Sequence, residues 1–298
     1  MATLQAYLGI ARAPFLVLCV TLVLSGAAAG AYDGTFAWTR ALLALVGLVA
    51  LHASVNSLNE VSDMQTGIDF HTTRTPFSGG SGTLPSGALP VATARWFGYG
   101  TAAVGLVIGV YLLGQVGMAL LPIMLAGGIM VLVYTTVLAR LGVGEIAAGL
   151  GLGTLPVLGT ALVQDGRIGP AAIAASVPAF CMTFNLLFLN EFPDEAADRA
   201  GGRKNLVLLL GRKGAARLYF AVAIAAPISI ALAVWLGALP WPTLVAFAPS
   251  WLLVKPIGWA LTSPNEPVSI PALGANVGWN LGTNTLLGVG LIVAMWMR

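Results

Sequence analysis

The chain has 298 residues, of which 58% are hydrophobic and only 8% are charged, and its formal net charge is +3. A soluble domain carries about 25% charged residues, so this composition excludes an ordinary water-soluble domain and indicates a protein whose solvent is lipid. The small net charge argues against a nucleic-acid partner. Both cysteines lie in apolar runs, which excludes a disulfide framework or a cysteine-ligated metal.

Apolar segments of spanning length recur along the whole chain. A membrane-spanning helix needs about 20 mostly apolar residues. Nine segments meet this condition: 13–31, 39–60, 92–113, 117–138, 143–163, 170–191, 213–238, 241–261 and 274–297. We therefore predict an all-α, polytopic membrane protein with nine transmembrane helices in a single domain, 1–298. The first segment also has features of a cleaved signal peptide, but a first spanning helix is favoured because the rest of the chain is multispanning.

The positive charges lie mostly on one predicted side of the membrane. The two long connections, 61–90 and 192–212, fall on the same side as the N-terminus. That side also holds eleven of the 14 Lys and Arg residues, and only Arg40, Arg167 and Arg298 fall on the other. By the positive-inside rule we expect the N-terminus and both long loops in the cytoplasm of a cell-membrane protein.

Acidic residues concentrate at the inner ends of the second and sixth predicted helices. The two stretches are "NSLNEVSDMQTGID" (56–69) and "FNLLFLNEFPDEAAD" (184–198). Spacings of four residues place side chains on one face of a helix. Such a face is predicted in each stretch: His52, Asn56, Asn59 and Asp63 in the first, and Asn190, Asp194 and Asp198 in the second. This recurrence suggests a weak internal duplication, with each half giving one acidic helix end to a shared site.

Two backbone features modify these acidic helix ends. Gly67 allows the chain to turn, so that Asp69 can fold back toward Asp63. Pro193 is unfavourable in a continuous helix, and it predicts a kink or the first turn of a new helix.

Carboxylates gathered in this way repel one another unless a cation is bound. An oxygen-only ligand set, without a Cys or His cluster, suits a hard cation such as Mg²⁺, which commonly joins one or two carboxylates to phosphate oxygens. Nearby Arg and Lys residues suit the rest of a phosphate group. The alternative is a pair of solvated acidic loops neutralised by those same cations.

The two acidic stretches resemble the motifs of a known family. "NEVSDMQTGID" and "NEFPDEAAD" are similar to the two aspartate-rich motifs of the UbiA superfamily of intramembrane prenyltransferases. The resemblance extends over nearly the whole chain, and includes "RAPF" before the first helix, "YTTVLARLGVGE" and "DRAGGRKNLVLLLGR".

The resemblance implies Mg²⁺-dependent prenyl transfer from a polyprenyl diphosphate, in a helical bundle whose active site faces the cytoplasm. The implied metal ligands are Asn59, Asp63, Asp69, Asn190, Asp194 and Asp198, of which the four aspartates are the catalytic set. The implied diphosphate-binding residues are Arg74, Tyr134, Arg140, Arg199 and Lys204. The acceptor site would include His52, Asn56 and Glu145. The prenyl tail would lie between helices open to membrane lipid, and no obligate protein partner is implied.

Some of these positions depart from the family pattern or allow a plainer role. Glu60 stands where Asp is common, Asn205 stands where Thr or Ser is frequent, and the displaced spacing of Arg140 puts its role in doubt. His52 is also compatible with a hydrogen-bonded core histidine, Tyr134 with an interfacial tyrosine, and Glu145 with a helix N-terminus. The loop 74–90, rich in Gly, Ser and Pro, is predicted to close over the diphosphate.

In the first motif, five residues separate Asp63 from Asp69. Within the superfamily, this spacing most resembles the branch with an aromatic acceptor, 1,4-dihydroxy-2-naphthoate, as in menaquinone biosynthesis. Other acceptors, such as 4-hydroxybenzoate, homogentisate or a lipid, and isoprenoid cyclisation are the alternatives. An ion-coupled transporter is less favoured because the acids lie at helix ends rather than near the midplane. A non-catalytic scaffold is less favoured because all four aspartates are present.

Overall fold

The computed structural model describes residues 3–298, apart from the side chain of residue 136, and over these residues the fold is helical without strands. Most helices are long and run from one end of a bundle to the other. The principal helices are Val17–Asp33, Trp38–Thr66, Val91–Val116, Leu121–Val133, Gly144–Gly149, Leu155–Asp165, Pro170–Ala200, Leu206–Trp235, Val254–Thr262 and Ile270–Trp296. A 3-10 helix, Trp241–Leu253, precedes Val254–Thr262.

The all-helical membrane architecture is confirmed, and the predicted count of nine spans is approximate. Eight helices of the described chain are long and apolar enough to cross a membrane. The fourth predicted span, 117–138, is the shorter apolar helix Met118–Val133. The segment 117–138 nevertheless runs between the two ends of the bundle. Gly166 lies against Val116 at one end, and at the other Lys204 N donates to Ala139 O over 3.2 Å.

The helix Trp38–Thr66, here called the first acidic helix, is longer than the predicted 39–60. The polar residues up to Thr66 continue the helix, so Asn59 and Asp63 lie in regular helix near its end. Gly67 ends it with a left-handed conformation, φ 80°, as the sequence predicted. The chain then forms the short helix Ile68–His71, which carries Asp69.

The helix Pro170–Ala200, here called the second acidic helix, continues through Pro193. The predicted new first turn at Pro193 is therefore wrong, and the alternative of a kink within the helix stays a prediction. Because the helix is continuous, Asn190, Asp194 and Asp198 lie on one face near its C-terminal end.

The second acidic helix is held at the centre of the bundle by buried polar bonds. Asn185 Nδ2 donates to Tyr219 O over 3.0 Å, Tyr219 Oη donates to Asn276 Oδ1 over 3.0 Å, and Asn276 Nδ2 donates to Asn185 O over 2.9 Å. This closed set joins three helices where lipid offers no alternative partners. It fixes the register of the helix that carries the second acidic stretch.

The first predicted span is an integral part of the bundle. Gly26 and Gly30 bring Val17–Asp33 against Leu155–Asp165 so closely that a Cβ at either glycine would lie under 3 Å from a carbonyl oxygen. Such contacts between small residues are typical of packed membrane helices. This packing supports a structural first helix over the signal-peptide alternative.

Two predicted boundaries differ from the structure for local reasons. The predicted helix 213–238 begins at Leu206, with Gly211 as a non-helical position of φ 69° inside it. The predicted helix 241–261 is mostly 3-10, and Pro249 inside it removes a donor that an α-helix needs.

Candidate active site

The two acidic helices end at a common cavity of about 250 Å³. One helix supplies Asn59 and Asp63, the other supplies Asn190, Asp194 and Asp198, and the short helix after Gly67 supplies Asp69. All six residues predicted as metal ligands therefore line the same space, although the two groups are at least 121 positions apart along the chain, from Asp69 to Asn190. Tyr134 and Lys204, predicted to bind diphosphate, line it as well.

Arg203 joins the two acidic helices. Its Nη2 donates to Asp63 Oδ1 and, over 2.8 Å, to Asn59 Oδ1, while its Nη1 lies 3.6 Å from Asp198 Oδ1. Asn59 Nδ2 also donates to Asp63 Oδ2 over 2.9 Å. One guanidinium group thus neutralises a carboxylate from each acidic helix.

Asn205 supports Asp198 from the other side. Its Nδ2 donates to Asp198 Oδ2 over 2.9 Å, and its Oδ1 accepts from Leu208 N over 2.9 Å, which caps the helix Leu206–Trp235. This residue departs from the Thr or Ser of the family pattern. The amide can serve both purposes at once because it carries a donor and an acceptor.

The charges at the site perturb the ionisable groups outside the spanning helices. Burial, followed by the charges of Asp63 and Glu60, raises the pKa of Asp69 to about 6, against the opposing effect of Arg12 and Arg74. Burial acts to lower the pKa of Arg203, but the neighbouring carboxylates outweigh it and raise this pKa. The cavity mouth therefore has an excess of negative charge that favours a further cation.

Several carboxylate and amide oxygens at the cavity are buried without a hydrogen-bond partner in the described chain. Those in the predicted ligand set are Asp69 Oδ2, Asn190 Oδ1, Asp194 Oδ1 and Asp198 Oδ1. Buried polar atoms are normally satisfied, so these oxygens fit a bound hard cation. Among the described residues, no three His, Cys, Asp or Glu side chains are placed so that they could hold a metal ion together. One or two carboxylates with amide oxygens still suit Mg²⁺, which usually keeps several waters and bridges carboxylates to phosphate oxygens.

The glycine-rich loop, residues 72–90, lies over the carboxylates. Gly79 N donates to Asp194 Oδ2 over 3.2 Å. Gly79 and Gly80 have φ of 84° and 70°. A Cβ at Gly80 would lie 2.9 Å from Asp69 Oδ1. Glycine is required here both for the left-handed backbone and for this close approach.

The cavity becomes apolar toward the bundle interior. Its deeper walls include Leu51, Val55, Met130 and Leu186. His52 and Asn56, the predicted acceptor residues, also line it, and His52 Nδ1 lies 3.3 Å from Cys19 Sγ. Asn56 Nδ2 donates to Ala11 O over 2.9 Å. The cavity thus joins a charged mouth to an apolar interior.

Four other predicted residues lie outside the cavity lining. Arg140 is exposed, and Arg199 is exposed and paired with Glu195 at 3.2 Å. Arg74 is also exposed, and it donates to the backbone oxygen of Asp69 over 2.9 Å, so it acts on the loop structure. Glu145 is fully buried behind the wall, where its Oε1 accepts from Leu206 N over 2.5 Å.

The structure also adds residues to the site that the motifs did not identify. Arg12 and Glu191 both line the cavity, and the bridging position of Arg203 was not apparent among several nearby cations. Arg12 lies more than 40 residues before the first motif, and although it begins the "RAPF" stretch of the family resemblance, no role was predicted for it. Glu191 lies inside the second motif but outside the four-residue spacing that identified Asn190.

The chain is similar to known proteins over most of its length. Residues 17–272 match the UbiA prenyltransferase family. A Bacillus subtilis protein named 1,4-dihydroxy-2-naphthoate octaprenyltransferase is 28% identical over 268 residues, which cover 85% of this chain and 81% of the relative.

Solved structures share the fold. A UbiA homolog from Aeropyrum pernix has a TM-score of 0.73 at 19% identity, covering 95% of this chain and 98% of its own. A UbiA homolog from Archaeoglobus fulgidus, solved bound to GPP and Mg²⁺, has a TM-score of 0.68 at 17% identity, covering 97% and 99%.

The Arg203 bridge generates a stability prediction. Arg203→Gln should lower the thermal stability of the metal-free protein, because removing one partner of a buried ion pair typically costs about 3–5 kcal/mol. Arg199→Gln is the control, since exposed ion pairs contribute about 0–1 kcal/mol. Thermal unfolding of both purified variants in EDTA is the measurement. Equal melting temperatures for the two variants would contradict a bridging role for Arg203.

Proposed function

Because this chain belongs to the UbiA prenyltransferase family, we propose that it transfers an isoprenyl group from a polyprenyl diphosphate to an aromatic acceptor with the help of Mg²⁺. Asp63, Asp69, Asp194 and Asp198, together with Asn59 and Asn190, would hold the metal. The observation that carries this proposal is the convergence of six oxygen-donor residues at the mouth of an apolar cavity, with four of their buried oxygens making no hydrogen bond in the described chain.

The polar mouth suits the diphosphate end of such a substrate. When bound, Mg²⁺ neutralises the diphosphate and so stabilises it as a leaving group. Arg203 and Lys204 line the same space and supply positive charge for the phosphate oxygens. Tyr134 lines it too, and its hydroxyl is a further donor for an oxygen that gains negative charge.

The apolar interior suits the other half of the substrate. Leu51, Val55 and Met130 form walls that accept a hydrocarbon tail and exclude water. Exclusion of water matters because the allylic carbocation left by diphosphate departure would otherwise be hydrolysed. His52 and Asn56 lie beside these walls, where an aromatic acceptor would meet the cation.

The acceptor is proposed to be 1,4-dihydroxy-2-naphthoate, as in menaquinone biosynthesis. The motif spacing and the name of the Bacillus subtilis relative both support this choice. The glycine-rich loop over the mouth would shield the reaction from the aqueous side, since Gly79 already contacts Asp194.

Orientation in the membrane is also proposed. The chain is a multi-pass membrane protein, and the concentration of Lys and Arg residues at the cavity end of the bundle supports a cytoplasmic N-terminus and a cytoplasmic active site.

The metal-binding role predicts a specific pattern for Asp194→Asn. This change removes a negative ligand but leaves an oxygen that can still accept from Gly79 N. Metal-free stability should therefore hold or rise, while prenyl transfer should fall by about a hundredfold or more, in keeping with several kcal/mol of metal stabilisation. Melting temperature and turnover are measured on the same preparation, with Asp165→Asn at the other end of the bundle as control. Full turnover of Asp194→Asn, or of the wild type in EDTA, would rule out the proposed metal site.

The acceptor proposal predicts loss of carbon dioxide during the reaction. With geranylgeranyl diphosphate, Mg²⁺ and 1,4-dihydroxy-2-naphthoate, mass spectrometry should find a product that has gained the prenyl group and lost the carboxyl group. Turnover of 4-hydroxybenzoate or homogentisate alone would redirect the acceptor assignment. A rearranged isoprenoid formed without any acceptor would favour a cyclase.

The proposed orientation predicts which loops an impermeant reagent reaches. A cysteine at Arg298 should react with a membrane-impermeant maleimide added to intact cells, and a cysteine at Ser86, exposed in the glycine-rich loop, should react only after permeabilisation. The native Cys19 and Cys181 are buried and give a low background. The reverse pattern would invert the orientation.

A further inference from the structure

One buried carboxylate beside the proposed metal site, Glu60, is not among the proposed metal ligands. Glu60 is 0% exposed and follows Asn59 on the first acidic helix. Its Oε1 accepts from Arg12 Nε over 3.1 Å and from Ser81 N over 2.8 Å, and its Oε2 accepts from Ser81 Oγ over 2.5 Å. Both oxygens are therefore engaged by donors, which separates Glu60 from the aspartates whose oxygens are unpartnered.

These bonds join two segments that the sequence keeps far apart. Arg12 precedes the first spanning helix, and Ser81 lies in the glycine-rich loop. The loop is also packed against the helix Leu4–Ile10, since a Cβ at Gly9 would lie 2.3 Å from Thr83 Oγ1. Glu60 is the charged group between these two segments.

Arg12 is held in an unusual conformation. Its φ of 50° makes it the one described non-glycine residue with a positive φ. A left-handed backbone costs such a residue free energy, so surrounding contacts must maintain it. Its Nε is used by Glu60, and its Nη atoms have no hydrogen-bond partner in the described chain, although the residue lines the cavity.

The free end of Arg12 points toward the carboxylates. A Cβ at Gly80 would lie 3.6 Å from Arg12 Nη2 and 2.9 Å from Asp69 Oδ1, so the loop backbone passes beside both groups. A guanidinium with one edge bound to a carboxylate and the other edge free is oriented for an anion.

We propose that Glu60 is a positioning residue that ties the glycine-rich loop and Arg12 to the first acidic helix, so that closure of the loop and orientation of Arg12 toward a diphosphate depend on one carboxylate. The diphosphate part of this proposal rests on the proposed function, whereas the tie between Glu60, Arg12 and the loop does not.

The tie is tested without any ligand by limited trypsin digestion. Arg74 is the cleavage site, because Gly79 and Gly82 pack directly against it while the loop is closed. Cleavage after Arg74, followed by mass spectrometry, should rise several-fold in Glu60→Gln and Ser81→Ala. Ser81→Ala leaves the Arg12–Glu60 pair intact, so it tests the loop in a protein whose buried charges remain paired.

Matched controls and a double variant separate this role from general destabilisation. Ser86→Ala in the same loop and Glu266→Gln on the surface should cleave like the wild type. Arg12→Gln should also raise cleavage, and Glu60→Gln with Arg12→Gln should exceed neither single variant by more than a small factor, because coupled residues are not additive. Glu60→Asp, shorter by one methylene, should lie between the wild type and Glu60→Gln.

Binding provides a readout that a purely structural role would not change. With Mg²⁺ present, Glu60→Gln should weaken geranylgeranyl diphosphate binding roughly tenfold, about 1.4 kcal/mol, while the KM for the acceptor stays near that of the wild type. Wild-type cleavage after Arg74 in Glu60→Gln, or fully multiplicative effects of Glu60→Gln and Arg12→Gln, would overturn the proposal. If the wild type binds no isoprenoid diphosphate but the cleavage results hold, the proposed function fails and the tie between Glu60, Arg12 and the loop stands.

Discussion

The guanidinium of Arg203 is the interaction on which the candidate site depends. Without a counter-charge, Asp63 and Asp198 would face each other across a partly buried space, and two carboxylates in such a place repel strongly. The bond from Arg203 to Asp63 and its 3.6 Å approach to Asp198 allow the ends of the two acidic helices to pack together before any metal arrives. The same group lines the cavity, so under the proposed function it would also be available to bind a phosphate oxygen.

The sequence predicted the elements of this site better than its contacts. Apolar runs identified the helices because the membrane imposes their length, and four-residue spacing placed Asn190, Asp194 and Asp198 on one face because helical periodicity fixes it. The predicted span 117–138 is helical but changes type, from the helix Met118–Val133 to the π-helix Tyr134–Leu138, and hydropathy does not reveal such a change. The new first turn predicted at Pro193 is wrong because a single missing donor is tolerated inside a packed membrane helix.

The remaining features depend on tertiary geometry that no local pattern encodes. Several cations lie close together in the sequence here, but only the fold determines which of them bridges the acids. The turn after Ala200 directs Arg203 toward Asp63, whereas Arg199 lies at the surface. The bonds of Glu60 to Arg12 and Ser81 span 48 and 21 residues, so only the folded chain brings them together. Contacts between side chains so far apart in the sequence can be located only in the folded structure and not from residue spacing.

The direction of the two acidic helices has an electrostatic consequence of its own. Both arrive at the cavity by their C-terminal ends, with Asp63 in the last turn of Trp38–Thr66 and Asp198 in the last turn of Pro170–Ala200. A helix C-terminus carries roughly half a negative charge from its aligned peptide dipoles, so the backbone adds to the potential of the carboxylates. This is the reverse of the common phosphate site, in which helix N-termini hold the anion directly. Under the proposed function, a bare diphosphate would be repelled by these two helix ends, and a divalent cation bound between them would reduce that repulsion.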